Sequence, residues 1–317
     1  MFIQLALISV SLFAAPGVRA DTLPSDIRIV VPVTAGSSLD ARARVIAEAL
    51  GQRIKQRVII DNRPGAGGTI GALATAKARA DGSTLLFTNN SHVISPHIYP
   101  KPGYDVINDF TPITKAYVSG MVLVVHPVLQ VRTLKELVAL ASGVSTLSYA
   151  SSGNGSVPHL ATELFKHLSG ANLLHVPYRG DGQALSDVLA GRVPVMMSGY
   201  VVAAQHINTG KLRALAVTSA RRSNILPGVP TFAEAGYPDY ALETWTGFFA
   251  PSGTPTGVIA LLNREIAAAL AMPSVQAHLL ATGAESAVTS PAEFAAFIRK
   301  EWESYGKLAT TLNLTTE

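Results

Sequence analysis

Three stretches of the chain combine small and hydroxyl-bearing residues in a way that suits the binding of an anion. Each follows a short apolar run and precedes a helical pattern, and they occupy residues 32–40, 62–68 and 151–159. A helix that starts in such a stretch leaves its first backbone N–H groups without intrahelical acceptors, and the helix dipole adds positive potential there. These residue types therefore point to recognition of a negatively charged group by backbone and hydroxyl donors.

The first stretch reads PVTAGSSLD, and Ser37 with Asp40 forms the S-x-x-D pattern of a capped helix start. Thr34, Ser37 and Ser38 supply more hydroxyl groups than one cap requires. We therefore predict that this loop contacts a ligand as well as starting a helix.

The third stretch, SSGNGSVPH, mirrors the first, and Pro158 fits the preference for proline in the first turn of a helix. Two such helix starts facing one cleft would hold two ends of a small anion, or one carboxylate from both sides. The middle stretch, NRPGAGG, lacks the glycine spacing of a dinucleotide site, and no Gly-Lys-Ser/Thr follows it. A tight turn is the better interpretation of that segment.

Signatures of catalysis and of metal binding are absent from the sequence. It contains no G-x-S-x-G and no H-E-x-x-H motif, and His92 and His97 are not spaced as metal ligands. The absence of cysteine excludes a thiol nucleophile and a Cys-ligated zinc or iron–sulfur centre. We expect no catalytic residue, no metal and no cofactor. A hydrolase that pairs a serine with His92 or His159 is kept as an alternative.

The charge pattern and the N-terminus bear on location and partners. The chain has 317 residues with a formal net charge of +4, and its basic residues are scattered, so we expect no nucleic-acid partner. Residues 1–20 hold an apolar run shorter than the roughly 20 residues that span a bilayer. The run ends in V-R-A before Asp21, which predicts a cleaved signal peptide and a periplasmic protein. An uncleaved membrane anchor is the alternative.

Short apolar runs alternate with helical patterns along the chain. The runs are Ile27–Val31, Val58–Ile60, Leu85–Phe87, Met121–Val125, Leu173–Val176, Val193–Met197 and Leu212–Val217. Runs of this kind suit strands buried on both faces of a parallel sheet, and their alternation with helices predicts an α/β fold. From Pro255 onward the periodicity predicts helices only, with no strand after about Ala250.

Two extended segments, Phe110–Val125 and Ala241–Ala250, have the character of crossings between domains. A chain that crosses over and returns builds a discontinuous first domain. We therefore predict domain 1 from residues 21–120 plus 246–317 and domain 2 from residues 121–245, hinged around a ligand cleft.

Several segments carry a family resemblance. They are IRIVVPVTAGSSLDARAR (Ile27–Arg44), NRPGAGG (Asn62–Gly68), LSYASSGNGSVPHLATELF (Leu147–Phe165), HVPYRG (His175–Gly180), GKLRALAVTSARRS (Gly210–Ser223), VPTFAEAGYP (Val229–Pro238) and WTGFFAPSGTP (Trp245–Pro255). In this order they resemble the Bug-type, TctC-like solute-binding proteins of tripartite tricarboxylate transporters. The two glycine loops together make the resemblance highly specific.

The resemblance implies a type II periplasmic-binding-protein fold, in which two α/β lobes close on a small carboxylate. It implies a solute receptor that delivers a dicarboxylate, a tricarboxylate or an aromatic acid to the membrane subunits of a tripartite transporter. We expect the receptor to be a monomer. A receptor that presents its ligand to a sensor kinase is the open alternative.

The resemblance also assigns binding positions residue by residue. The proximal carboxylate falls to Thr34, Ala35, Gly36 and Ser37 in the first loop, and to Ser152, Asn154, Gly155 and Ser156 in the other. Cleft-wall or domain-closing positions are Asn90, Ser91, Tyr178 and Trp245.

The chain departs from the family pattern at the segment that faces the distal end of the ligand. Ser198 stands where an acidic or amide residue is usual, and Val33 and Ser37 replace an aromatic residue and a glycine. The loss of an acidic group argues against an ammonium partner. The prediction is a neutral or aromatic distal end, lined by Ser198 and Tyr200.

Overall fold

The computed structural model describes residues 22–99, 101–143, 146–240 and 242–314. The predicted signal peptide, residues 1–20, lies outside these ranges. The described part of the chain forms eleven strands and ten α-helices, and the strands make two separate sheets. The predicted α/β class is thus confirmed.

The strands follow the chain from one sheet into the other and back. In chain order they are β1 (Asp26–Val31), β2 (Arg57–Asn62), β3 (Thr84–Asn89), β4 (Phe110–Ser119), β5 (Met121–Val125), β6 (Leu147–Ser151), β7 (Leu173–Pro177), β8 (Val195–Gly199), β9 (Arg213–Val217), β10 (Thr244–Pro251) and β11 (Ala284–Ser286). The first sheet has the order β11-β4-β10-β3-β1-β2, and the second has the order β7-β6-β8-β5-β9.

Both sheets are mixed, whereas the apolar runs had suggested parallel sheets. In the first sheet β1 runs parallel to β2 and β3, while β10, β4 and β11 join in antiparallel pairs. In the second sheet β6 runs parallel to β7 and β8, while β5 is antiparallel to β8 and β9. Apolar runs mark burial on both faces, but they carry no information on strand direction.

The helices pack on the faces of the two sheets. They are α1 (Ser38–Ile54), α2 (Thr69–Ala76), α3 (Ser91–Ile98), α4 (Leu134–Gly143), α5 (Val157–Ser169), α6 (Asp181–Leu189), α7 (Tyr200–Asn208), α8 (Thr256–Leu270), α9 (Pro273–Ala281) and α10 (Pro291–Thr311). By length and composition, no single helix in the described ranges could cross a membrane, although α8 and α9, bent by 69°, pass the same test as a pair.

The structure corrects the prediction that no strand follows Ala250. β11 (Ala284–Ser286) pairs antiparallel with β4 at the edge of the first sheet. Two of its three residues are exposed, so the strand has no apolar run by which the sequence could reveal it. The two crossing segments are themselves strands, since β4 and β10 pair side by side along the middle of the first sheet.

The C-terminal helix α10 packs on the first lobe, which contains the first sheet. The α10 side chains of Phe294, Ile298 and Tyr305 are buried, and Phe294 lies against the central strand β10. Gly247 makes this packing possible, because a Cβ atom there would overlap the Phe294 ring. The tail of the chain thus completes the core that its beginning started.

The division into domains at 120/121 and 245/246 stays a prediction. The first sheet draws its strands from residues 26–119 and 244–286, and the second from residues 121–217, which supports the first boundary. At the second boundary Thr244 and Trp245 already belong to β10 of the first sheet.

Candidate functional site

A cavity of about 670 Å³ lies between the two lobes. Six helices contribute their cap or their first residue to the lining of this cavity, namely α1, α2, α3, α5, α6 and α7. Five of these six helices follow directly on strands β1, β3, β6, β7 and β8. The carboxyl ends of strands in such α/β sheets are the usual place for ligands, and here two sheets present these ends to one cavity.

The α1 loop is held by a buried carboxylate. Ser37 caps the helix by accepting the Asp40 N–H at 3.3 Å, and the Gly36 N–H donates to Asp40 Oδ2 at 2.8 Å. Asn62 and Arg44 also donate to the Asp40 carboxylate. Burial opposes ionisation of Asp40, but these hydrogen bonds outweigh it and hold its pKa below the usual value. The Gly36 N–H is therefore used inside the loop.

The α5 loop is built in a similar way around a histidine. Ser156 caps the helix by accepting the His159 N–H, and its own hydroxyl donates to the Gly153 carbonyl oxygen at 2.7 Å. The Gly155 N–H donates to His159 Nδ1 at 3.3 Å. In both loops the glycine N–H is thus used by the protein, so an anion in the cavity would need other donors at the helix starts.

A ring stack supports His159 from behind. Its ring lies 4.1 Å from that of His175, whose Nε2 is 2.6 Å from Ser151 Oγ. Burial lowers the pKa of His159 to about 4 and, with the neighbouring His159, lowers the pKa of His175 to about 3. Both rings are neutral at pH 7, so that Nδ1 of His159 can accept the Gly155 N–H. Ser151 and His175 form no hydrolytic pair at the cavity, because Ser151 is fully buried behind it.

The β7–α6 loop supplies a third helix start that the sequence analysis did not single out. Arg179, Gly180 and Asp181 line the cavity, and a Cβ atom on Gly180 would lie 3.2 Å from Thr34 Oγ1 of the other lobe. Burial raises the pKa of Asp181, and a hydrogen bond from Ser152 offsets part of the rise. The signal that could have identified this loop was the HVPYRG segment (His175–Gly180), which continues the apolar run Leu173–Val176.

The two lobes touch at one side of the cavity. The Ser95 hydroxyl lies between the carbonyl oxygens of Gly67, in its own lobe, and Gly155, in the other, at 2.7 and 3.0 Å. The Tyr99 hydroxyl donates to the Asn154 carbonyl oxygen at 3.2 Å. The NRPGAGG turn, predicted as structural, therefore lies against the α5 loop across the cleft, where it also lines the cavity.

Seven of the predicted binding residues line the cavity and seven do not. Those that line it are Thr34, Ser37, Ser91, Ser152, Asn154, Ser156 and Tyr178. Those placed elsewhere are Ala35, Gly36, Asn90, Gly155, Ser198, Tyr200 and Trp245. The assignment as a whole stays a prediction, but the contacts of the second group indicate other roles.

Asn90 and Trp245 tie the first lobe together. The Asn90 side-chain amide donates to the Glu243 carbonyl oxygen and to the Tyr305 hydroxyl. Its Oδ1 atom accepts the backbone N–H of Trp245 at 2.9 Å. The Trp245 indole donates to Glu301 and is buried. These two side chains fix β10 and α10 against α3, and neither reaches the cavity.

The structure places Ser198 and Tyr200 outside the lining of this cavity. The Ser198 hydroxyl is buried and donates to its neighbouring Gly199 carbonyl oxygen. Tyr200 packs so closely against Gly120 that a Cβ atom added to Gly120 would overlap the Tyr200 hydroxyl. Tyr200 also lines a second, smaller cavity. The aromatic distal wall stays a prediction, and in this structure the Tyr200 hydroxyl lies 2.9 Å from Ser219 Oγ at the second cavity.

Arg42 is a further charged cavity residue that the sequence did not reveal. It lies on α1 within the apolar stripe of Leu39, Ala43 and Ile46, and its side chain is buried. A charge inside an apolar stripe is unusual and was the available signal. Within the described part of the chain, no group of three His, Asp or Glu residues is arranged to hold a metal ion.

Comparison with known proteins places this geometry in a family. Residues 42–314 match the model of TctC, the tripartite tricarboxylate transporter family receptor. Protein BugT of Bordetella pertussis is 39% identical over 292 residues, which cover 91% of this chain and 89% of BugT.

Solved structures agree with that match. The periplasmic binding protein BugD is 31% identical with a TM-score of 0.87, over 92% of this chain and 99% of BugD. Rpa4515 of R. palustris, solved with adipate, is 36% identical with a TM-score of 0.86, over 91% of this chain and 97% of Rpa4515. These neighbours confirm the two-lobed periplasmic-binding-protein fold. The chain is therefore a Bug-type member of the TctC family of solute-binding receptors and not an enzyme.

Proposed function

We propose that this receptor binds a small carboxylate in the cavity between its lobes and delivers it, in the periplasm, to the membrane subunits of a tripartite transporter. One observation carries the proposal. The starts of α1 and α5, capped by Ser37 and Ser156, line the same cavity from opposite lobes. Each start offers the positive end of a helix dipole to one anion, and the first-turn N–H groups left for it are those of Ser38 and Leu39 on α1 and that of Val157 on α5, where Pro158 has none.

The two loops are rigid enough to act as preformed donors. Asp40 holds the Gly36 N–H and His159 holds the Gly155 N–H, so neither glycine loop has to rearrange on binding. The Ser152 hydroxyl and the Asn154 side chain add polar groups to the α5 side of the cavity. Preformed donors lower the free-energy cost of ordering a site around its ligand.

The charges around the cavity favour an anion. Arg42 and Arg179 line it, and Asp181 is its only acidic lining residue within the described ranges. Burial raises the pKa of Asp181, which makes its negative charge less stable than that of an exposed carboxylate. The binding of adipate by the relative Rpa4515 supports the same ligand class.

Ligand binding would favour the closed arrangement of the lobes. A carboxylate held by both loops interacts with two lobes at once, and this interaction exists only when the cleft is closed. The bond of Ser95 to Gly155 and that of Tyr99 to Asn154 then add to the closed state. Membrane subunits that recognise the closed receptor would receive it with its ligand.

Calorimetry with Ser156→Asp and Ser156→Asn tests the proposal. Asp and Asn both cap helices well, so both variants keep the α5 start, but only Asp adds a negative charge to the anion site. We expect Ser156→Asp to weaken carboxylate binding by about 100-fold or more, and Ser156→Asn by no more than about tenfold. Equal affinities for the two variants would refute the assignment of this loop. A wild-type protein that binds no mono-, di- or tricarboxylate would refute the function.

A further inference from the structure

Arg42 brings a buried positive charge to the cavity without a carboxylate partner. It is 6% exposed, and its Nε and Nη2 atoms donate to the hydroxyl and the carbonyl oxygen of Thr282. Its guanidinium lies 5.0 Å from the centre of the Tyr117 ring. Among the described residues, no Asp or Glu forms an ion pair with it, although a buried charge is costly unless it is paired.

Three buried hydroxyl groups line the same cavity and are also unpaired. Tyr117 OH, Thr244 Oγ1 and Ser38 Oγ have no hydrogen-bond partner within the described part of the chain. The strands β4 and β10 place Tyr117 and Thr244 at the crossing between the lobes, where Thr244 pairs with Ser119. Since native proteins satisfy most buried polar groups, three such hydroxyls in one cavity indicate a site for a polar group.

We propose that Arg42, with the hydroxyls of Tyr117, Thr244 and Ser38, forms a second anion subsite, which binds the distal carboxylate of a ligand with two carboxylates. The proposal rests on the carboxylate-binding function above and specifies the other end of that ligand. A guanidinium matches the geometry of a carboxylate, and each hydroxyl can donate one further hydrogen bond to its oxygens.

An uncharged distal end would fit this part of the cavity poorly. It would leave the guanidinium and the hydroxyls without partners after the closing lobes had excluded water from them. Sites built to hydrogen-bond a ligand group reject analogues that lack that group for this reason. The subsite therefore selects a dicarboxylate over a monocarboxylate of the same length.

The position of the subsite on α1 also limits the ligand. Arg42 lies five residues after Ser37, which caps the helix start of the first subsite, and five residues correspond to about 7.5 Å of helix rise. The two anion subsites are therefore separated along the cavity by a span that a short carbon chain or a single ring can bridge. Both ends of the ligand are then held in part by one helix.

The test is calorimetry with matched pairs of acids. The pairs are succinate and butyrate, glutarate and pentanoate, adipate and hexanoate, and terephthalate and benzoate. We expect the wild-type protein to bind at least one dicarboxylate about tenfold or more tightly than its monocarboxylate partner. If it binds none of the eight acids, the proposed function fails. If monocarboxylates bind as tightly as their dicarboxylate partners, the second subsite fails and the function stands.

Three variants assign the effect to the subsite. Arg42→Met and Tyr117→Phe should each lower affinity for the preferred dicarboxylate by about tenfold and should lower affinity for its monocarboxylate by much less. Tyr104→Phe is the matched control, because Tyr104 also carries a buried, unpartnered hydroxyl but lies outside the cavity. Its affinities should equal those of the wild type.

Tyr117→Phe keeps the test decisive if Arg42→Met fails to fold. It removes only a hydroxyl that has no partner in the described part of the protein, so the melting temperature of the ligand-free variant should stay within a few degrees of the wild type. A folded Tyr117→Phe variant with unchanged preference for the dicarboxylate would overturn the proposed subsite.

Discussion

At the scale of single residues, the side chains behind the binding loops matter as much as those that line the cavity. The carboxylate of Asp40 and the Nδ1 atom of His159 each accept a glycine N–H, and so fix the two loops. The sequence indicated that these loops bind an anion. It could not show which N–H groups the protein itself uses, because Asp40 and His159 act through geometry formed only in the folded loop. Arg42 was missed because its helix pattern reads as core.

His92 shows how a titratable residue in the core can affect stability. Its ring is enclosed by Tyr104, Phe110 and Phe249, and neither of its nitrogens has a hydrogen-bond partner in the described residues. Burial lowers the pKa of His92 to about 3. Below a pH of about 6.5 the unfolded chain therefore binds a proton that the native protein does not, and stability decreases as the pH falls from there towards 3.

We therefore predict that His92→Phe makes the melting temperature less sensitive to acid. Between pH 7 and pH 4.5, the melting temperature of this variant should fall less than that of the wild type. This holds whether the substitution raises or lowers the melting temperature at pH 7. The exposed His167 supplies the control, and His167→Gln should keep the wild-type slope. Parallel curves for the wild type and His92→Phe would show that the buried ring does not contribute to acid sensitivity.

At the scale of elements, the pattern of apolar runs predicted the position of most strands but not how they pair. All seven predicted runs coincide with or overlap strands, since burial on both faces produces such runs. β11 escaped prediction because it is short and exposed, and β6 was part of a recognised motif without being identified as a strand. The order and direction of strands depend on contacts between distant segments, such as β10 with β3 and β4, which no local pattern contains.

The contact between β10 and α10 predicts a large effect from a small change. A Cβ atom on Gly247 would overlap the Phe294 ring and would lie 2.8 Å from the Thr114 carbonyl oxygen. Gly247→Ala should therefore lower the free energy of unfolding by about 2 kcal/mol, measured by urea denaturation.

Gly182→Ala is the matched control for that substitution. Gly182 lies in the first turn of α6, and a Cβ atom added to it would meet no other atom within 4 Å, so alanine should raise stability by up to about 1 kcal/mol. Equal effects of the two alanines would mean that α10 does not pack on β10 as described.

At the scale of the whole molecule, the fold places the two helix starts that we propose as the anion site in separate lobes, and the chain crosses between the lobes at Gly120 and near Thr244. The sequence predicted two lobes and a cleft because the loop motifs occur once in each half. It could not reveal where Tyr200 and Arg42 lie relative to the cavity, because their positions are decided by the packing of β4, α1 and α7 around the crossing.

The central claim is that one carboxylate is held between the starts of α1 and α5. A crystal structure with the tightest-binding acid of the calorimetric series tests it most directly. We predict one carboxylate within hydrogen-bond distance of N–H or hydroxyl groups from both helix starts, and the other end of the ligand at Arg42. A ligand bound by only one lobe, or seated in the second cavity beside Tyr200, would contradict this account.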